Sequence, residues 1–331
     1  MSRTLKVTIT DAPFPNLDVE TRALEAIGAE MVICRDTSEQ EILERTRDAD
    51  GVLVCYAPVG ARVIEAMERC RIIARYGIGV DNVDLGAATR RGIYVTNVPD
   101  YCVEEVADHT MALLLALARK VVRLNATAKS GVWDFRGLRP FFRLRGRILG
   151  LVGFGKIPRA VAARARAFGL EVWAYDPYVP AEEAARHGVK MVEFADLLRE
   201  VDFLSVHTPL TPETRGMLGW KELCSLKPTS VLINTARGEI VEEEALVRAV
   251  EEGRIAGAAL DVLAREGVDP SSPLVKSDRI ILTPHVAYYS EESVRDLQAK
   301  AVGEVTSVLT GGQPRCLVNR EVKPRPLPGK A

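Results

Sequence analysis

Short β-branched runs alternate with amphipathic stretches along the first hundred residues. Lys6–Thr10, Glu30–Cys34, Gly51–Cys55, Ile72–Ala74 and Tyr94–Asn97 predict strands, and Val19–Ile27, Ser38–Asp48, Ala61–Glu68 and Asn82–Arg91 predict helices between them. Regular alternation of this kind predicts a parallel sheet with helices on both faces. The run GVLVC is continuously apolar, as a strand buried on both faces must be. A long helical stretch follows from about Val103 to Ser130, then a basic, aromatic loop from Gly131 to Gly146. A second alternation begins there. It predicts strands at Ile148–Val152, Glu171–Ala174, Phe203–Val206, Ser230–Asn234, Gly257–Asp261 and Ile280–Leu282. Helices are predicted at Ile157–Phe168, Glu193–Arg199, Glu242–Glu252 and Ser290–Thr310. The pattern is that of an α/β protein with two successive doubly wound units and no residue-level repeat.

Composition narrows the field. The chain has 331 residues, 47% of them hydrophobic and 27% charged, which excludes a disordered, collagenous or coiled-coil chain. Forty-four Lys and Arg against 45 Asp and Glu leave a net charge of −1, so no global pull toward nucleic acid or an acidic membrane exists. The opening MSRTLKVTIT has no apolar core, which predicts no signal peptide. The longest apolar run, MALLLALA at 111–118, is far short of the ~20 residues a membrane span needs. Six scattered cysteines without a C-x-x-C predict thiols in a reducing cytoplasm and no metal site, with a reactive Cys102 as the sharper alternative. The stretch from Gln313 to Ala331 reads either as a loose tail or as a docking arm.

The strongest local motif is LGLVGFGKIPRAVAARARAFG. It places Gly153-x-Gly155 directly after an apolar strand and opens an amphipathic helix, the context a dinucleotide fingerprint requires. Gly153 permits the tight turn, Gly155 lets backbone approach a pyrophosphate, and the helix N-terminus offers N–H groups. Pro158 stands where the third glycine is usual. Proline is tolerated in a first helical turn, so a displaced helix is expected rather than a lost phosphate site. Asp176 follows Gly153 by 23 residues at the end of a strand, placed to bind ribose hydroxyls and repel a 2′-phosphate, which favours NAD over NADP. The bland readings are a glycine turn that binds nothing and an ordinary turn acid before Pro177.

Four histidines are candidates for acid–base chemistry. His109, inside ADHTMALLLALA, reads as packing or capping; His187, before Gly188, reads as a helix-end dipole partner. His207 and His285 both follow apolar strands, where ligands sit in doubly wound sheets, and either reading stays open on that ground. Two other strand ends deliver Arg237, in NTARGE, and Asp261 with Glu266, in LDVLAREG. An arginine fork suits a carboxylate, and a carboxylate beside an imidazole favours its charged form and fixes its ring. A surface charge for Arg237 and a solvated loop acid for Glu266 are the alternatives.

These residues resemble those of the D-isomer-specific 2-hydroxyacid dehydrogenases, over nearly the full chain. The matching stretches are RYGIGVDNVDLGAATRRGIYVTNVPDYCVEEVADHTMALLLALAR, LGLVGFGKI, HTPLTPETRGMLG, INTARGEIVEEEALVRAVEEGRIAGAALDV and LTPHVAYYSEES. The 29-residue spacing from Arg237 to Glu266 matches the family's catalytic pair, and TPHVAYYSEES is most similar to the branch of the C-terminal-binding-protein corepressors. Phosphoglycerate, glycerate and glyoxylate/hydroxypyruvate enzymes share the scaffold. The resemblance implies a flavodoxin-like substrate domain (1–103 with 287–331) and a Rossmann NAD-binding domain (104–286), with a cleft between them and a dimerisation helix and arm at about 103–147. It implies a homodimer, with NAD as cofactor and a small 2-oxo or 2-hydroxy acid as the other partner. Neither nucleic acid nor membrane is implied. His285 would be the acid–base group, Glu266 its partner, and Arg237 the receiver of the 2-oxo acid. Ile78 and Gly79 would take the substrate carboxylate. Gly153, Gly155, Lys156, Ile157, Asp176, Thr208, Pro209, Thr235, Ala236, Asp261 and Val106 would bind the cofactor. Asp261 would hold the nicotinamide carboxamide.

Three departures from the family stand out. Pro158 replaces a glycine. Tyr288 occupies the position of a substrate-touching tryptophan in the corepressors. The 46 residues after His285 predict no regulatory domain of the kind some phosphoglycerate enzymes add. The basic loop Arg136–Arg147 reads as a dimer arm, with a phosphate- or dicarboxylate-receiving patch and a nucleic-acid arm as lesser readings. The activity expected is reversible hydride transfer between NAD(H) and a D-2-hydroxy acid. The alternative is an NAD(H)-sensing, corepressor-like binding protein.

Overall fold

Twelve short strands separated by helices collect into two all-parallel sheets, because each apolar run can be buried only between helical layers. The computed structural model describes residues 3–325. It divides into two compact units, one made of residues 3–101 and 290–325 and the other of residues 102–289.

The first unit holds β1 (Leu5–Ile9), β2 (Ala29–Ile33), β3 (Gly51–Val54), β4 (Ile72–Arg75) and β5 (Tyr94–Thr96) in the order β2-β1-β3-β4-β5. This is the flavodoxin-like order, with its reversal between β1 and β3. Every residue of β3 and β4 is buried. The helix Glu291–Leu309 covers one face, laying Val305 and Leu309 over Gly51. Ile42, Val63, Ile64 and Ala88 pack with Val52, Val54 and Ile73 in the same core cluster. Past that helix the chain runs as an arm on its own unit. Asn319 accepts from Val95 N–H at 2.9 Å and donates to the Ile93 carbonyl at 3.0 Å. The Arg325 guanidinium donates to the carbonyls of Arg91, Met67 and Glu68, beyond the ends of two short helices, where a cation is favoured. Residues 313–325 are thus docked, which corrects the loose-tail reading for that stretch; residues 326–331 lie outside the described ones.

The second unit holds β6 (Ile148–Val152), β7 (Glu171–Tyr175), β8 (Lys190–Met191), β9 (Phe203–Val206), β10 (Val231–Asn234), β11 (Gly257–Leu260) and β12 (Ile280–Leu282). Their order is β12-β11-β10-β9-β6-β7-β8, the Rossmann order extended by one strand, with the switch point between β6 and β9. One cluster joins Ala107, Met111, Leu114, Val161 and Ala165 to Leu149, Leu151 and Val172; another joins Leu197, Leu246 and Val250 to Val152, Leu204 and Leu232. The two-residue β8 carried too short an apolar signal to be predicted.

The expected long helix is two, Val103–Arg119 and Val121–Lys129. Between them Lys120 takes a left-handed backbone, φ 53°. That conformation is costly for a residue with a Cβ. It is supported by the Lys120 Nζ, which donates to the Leu138 carbonyl at 2.6 Å and lies 5.3 Å from the Phe141 ring. The second helix buries none of its residues.

Candidate active site

The turn after β6 is shaped by its first glycine. Gly153 has φ +95°, and a Cβ there would lie 3.0 Å from the backbone of His207, so the position admits glycine alone. Gly155 caps the helix Lys156–Ala167, and nothing lies within 4 Å of where its Cβ would stand. The twelve-residue helix therefore begins beside open space at Gly155, where a phosphate can approach the backbone. Lys156 is exposed and Ile157 half-buried at the same end. Pro158 is buried in the first turn, and the helix runs on without a break. Its missing N–H is one that the first turn leaves without an intrahelical partner.

Asp176 follows β7. One carboxylate oxygen accepts from Phe154 N–H at 2.8 Å and the other from Tyr178 N–H at 2.9 Å. The acid expected to meet the ribose thus also braces the glycine turn. These features fit a dinucleotide: an open glycine backbone, a free helix N-terminus and a carboxylate at the neighbouring strand end. Thr208 and Pro209 follow β9, and Thr214 Oγ1 donates to the Pro209 carbonyl at 2.7 Å. Thr235 and Ala236 follow β10, with Thr235 Oγ1 3.0 Å from Thr110 Oγ1. Val106 is buried on the helix Val103–Arg119.

Beyond β10 the buried Asn234 side chain grips the turn, accepting from Ala236 N–H at 3.0 Å and donating to the Arg237 carbonyl at 2.9 Å. This holds Arg237, whose Nη1 donates to the Ala236 carbonyl at 2.8 Å. Asn234 lies in the INTARGE stretch, and its role has no signature in the sequence, because a buried amide leaves no periodic signal.

His285 follows β12 and Glu266 lies in the loop after β11. The structure brings them together: His285 Nδ1 is hydrogen-bonded to Glu266 Oε1. An ionised carboxylate only accepts, so Nδ1 carries a proton and the pair fixes the tautomer of the neutral ring. The Tyr288 ring stands edge-on to the imidazole, centroids 6.2 Å apart. The other strand-end histidine differs. His207 Nε2 lies 2.8 Å from Ser205 Oγ, and burial pushes its imidazole down to about 3. It is the neutral imidazole near pH 7, without the second proton that a general acid delivers. His187 closes the helix Ala181–Arg186 and stacks edge-on against Phe154.

Asp261 is buried after β11, and its carboxylate accepts from Thr283 Oγ1 at 2.5 Å, Val286 N–H at 3.0 Å and Ala287 N–H at 2.9 Å. Of four acceptor positions, one remains. In the first unit, Ile78 and Gly79 follow β4, and their loop is pinned by Asn97, whose Nδ2 donates to the Ile78 carbonyl at 2.7 Å. No group of three or more His, Cys, Asp or Glu suited to a metal, and no helix long and apolar enough to cross a membrane, is found among the described residues.

Comparison with known proteins adds independent findings. The model of the NAD-binding domain of D-isomer-specific 2-hydroxyacid dehydrogenases matches residues 111–287. A glyoxylate reductase of Korarchaeum cryptofilum is 42% identical over 296 residues, 87% of this chain and 89% of that one. A D-3-phosphoglycerate dehydrogenase of Methanocaldococcus jannaschii is 37% identical over 98% of this chain, which spans only 62% of its length. Among solved structures, the D-lactate dehydrogenase of Aquifex aeolicus, complexed with NAD and lactic acid, superposes with a TM-score of 0.86 at 29% identity, covering 92% of this chain and 96% of that one.

Proposed function

Because the chain belongs to the D-isomer-specific 2-hydroxyacid dehydrogenases, NAD-dependent oxidoreductases of the CH–OH group, we propose that it interconverts glyoxylate with glycolate or hydroxypyruvate with D-glycerate. The observation that carries the assignment of roles is the His285–Glu266 pair, which leaves Nε2 as the proton-transferring atom. NADH, when bound, supplies the hydride. His285 Nε2 delivers the proton to the carbonyl oxygen of the 2-oxo acid, and Glu266 stabilises the charged ring from the other side. Arg237 pairs with the acid and polarises its carbonyl. Tyr288 shapes the pocket beside His285.

Gly153, Gly155, Lys156 and Ile157 hold the pyrophosphate and Asp176 the ribose. Thr208, Pro209, Thr235, Ala236 and Val106 line the cofactor. The remaining acceptor position of Asp261 takes the nicotinamide carboxamide. The sensor alternative has no observation in its favour, whereas an oriented acid–base pair serves turnover.

The arm at about 103–147 supports a homodimer. Val121, Val122, Val132, Trp133 and Phe135 are exposed, with Trp133 at 93%. An apolar set of this size on one segment fits a second copy of the chain. The arginines of the arm are partly spent locally: Arg136 pairs with Asp134, Arg147 pairs with Asp202, and Arg139 lies over Phe135. A cytoplasmic location suits the buried thiols of Cys34 and Cys70, which burial pushes up to about 11 and about 12.

The test is oxidation of NADH with glyoxylate, hydroxypyruvate, pyruvate and phosphohydroxypyruvate, run on the wild type and on His285→Ala. Glyoxylate or hydroxypyruvate should give the highest kcat/KM, and His285→Ala should abolish turnover while still binding NADH. Preference for phosphohydroxypyruvate would overturn the substrate choice, and an active His285→Ala would overturn the site.

A further inference from the structure

The loop carrying His285 is held in an unfavourable shape. His285 has φ +49°, a left-handed backbone that a residue with a Cβ adopts only where its surroundings over-determine it. One aspartate supplies three of the contacts that hold this loop. The N–H of His285 donates to the Asp261 carbonyl at 2.8 Å. The next two N–H groups, of Val286 and Ala287, donate to the two oxygens of its carboxylate. Three successive backbone donors thus converge on Asp261, and the orientation of that carboxylate sets where the imidazole stands.

What orients Asp261 in turn can be followed outward. Thr283 Oγ1 lies 2.5 Å from Asp261 Oδ1 and has one proton, which must go to the carboxylate. It therefore accepts from its other neighbour, His109 Nε2, at 3.0 Å. The same nitrogen lies 3.5 Å from Asp261 Oδ1. His109 consequently carries a proton on Nε2, and its ring faces the strand end rather than the apolar core of its helix. The residue next to it, Thr110, reaches Thr235 in the turn that holds Arg237. One turn of the helix Val103–Arg119 is thereby linked by hydrogen bonds to both of the loops assigned to chemistry.

We propose that His109 is a positioning residue: through Thr283 and Asp261 it holds the loop that places His285. This rests on the reading of His285 as the acid–base group. His109 acts through Thr283 and Asp261 and not on the reacting atoms. Its effect is on the alignment of Nε2 of His285, where small misplacement is expensive in rate.

The experiment is a set of variants assayed for 2-oxo acid reduction and NADH affinity: His285→Ala, His109→Ala, His109→Gln, Thr283→Val and the double variant His109→Ala/Thr283→Val. His109→Phe, which keeps the ring volume, substitutes for His109→Ala should that variant not fold. The proposal expects His109→Ala to lower kcat about tenfold or more with KM and NADH affinity changed by less than about threefold. His109→Gln, which retains an N–H for Thr283, should recover most of the loss. In the double variant the two effects should not add, because either change alone cuts the chain. If His285→Ala is inactive while His109→Ala keeps wild-type kcat, or if His109→Gln is as impaired as His109→Ala, or if the two losses multiply, the positioning role is overturned and the site reading stands. If His285→Ala is itself active, the site reading falls and the positioning role with it.

Discussion

Gly238 stands so close to Leu263 that a Cβ on it would overlap the Leu263 carbonyl carbon and the Ala264 nitrogen. The contact joins the turn of Arg237 to the loop of Glu266, backbone against backbone. Glu243 secures the same loop, accepting from Ala264 N–H at 2.6 Å. The relative placement of Arg237 and Glu266 is therefore set by the absence of one methyl group. Gly238→Ala should force the two loops apart. Overpacking of this kind costs about 1–3 kcal/mol of stability, and the loss of alignment should lower kcat/KM by about a hundredfold. Thermal unfolding with steady-state kinetics checks both, and a variant of wild-type activity would refute the coupling of the two loops.

The bond between Glu266 and His285 Nδ1 supplies two things, a fixed tautomer and a negative charge opposite the ring when it is protonated. Glu266→Gln keeps an amide oxygen that can accept from Nδ1 and loses only the charge. Glu266→Ala loses both. A graded series is expected, with kcat falling least in Glu266→Gln, further in Glu266→Ala and most in His285→Ala. The total should span about 10²–10⁴-fold. NADH affinity, read by fluorescence quenching, should be nearly constant across the series. Equal losses in Glu266→Gln and Glu266→Ala would mean that charge alone matters.

The reach of sequence reading differs between fold and site for physical reasons. Eleven of the twelve strands are written as apolar or β-branched runs, most of them buried on both faces as parallel strands are, and their predicted ends fall within a residue or two of the observed ones. The break at Lys120 was invisible. A left-handed lysine is supported by a carbonyl eighteen residues on, and no local pattern records that. The docked arm was equally hidden, since Asn319 and Arg325 act on backbone groups more than 200 residues away. At the candidate site, position at a strand end singled out Arg237, Asp261, Glu266, His207 and His285 alike, and the family resemblance alone chose among them. Their supports were not legible. Asn234 grips the backbone of its own turn, Gly238 abuts the backbone of another loop, and His109 works through the Thr283 and Asp261 side chains, so what each does depends on neighbours brought in by the fold.

Asp176 meets the N–H groups of both Phe154 and Tyr178, so its removal should have two separable effects. Losing the negative charge removes the repulsion of a 2′-phosphate, and the ratio of kcat/KM for NADH over NADPH should fall about tenfold or more in Asp176→Ala. Losing the acceptor also loosens the glycine turn, so KM for NADH itself should rise. Asp176→Ser, with one small acceptor near the turn, should restore part of the KM and little of the cofactor discrimination. An unchanged NADH/NADPH ratio in both variants would remove Asp176 from the ribose site.

His207 makes the stability of its unit sensitive to acid. Burial holds its imidazole at about 3, against an ordinary value of 6.5 in the unfolded chain. Between those values the unfolded chain binds a proton that the folded one does not, so stability rises with pH across the window. The contribution is complete above about pH 6.5 and is lost as pH falls toward 3. At pH 4.5, two units below the unfolded value, the loss amounts to about 2–3 kcal/mol. His207→Gln retains an amide to meet Ser205 and cannot titrate. Its Tm should lie somewhat below wild type at pH 7.5, where the neutral imidazole packs better. The gap should close, then invert, as the buffer is taken to pH 4.5. A Tm difference that stays constant across that range would show that His207 is not held neutral in the folded protein.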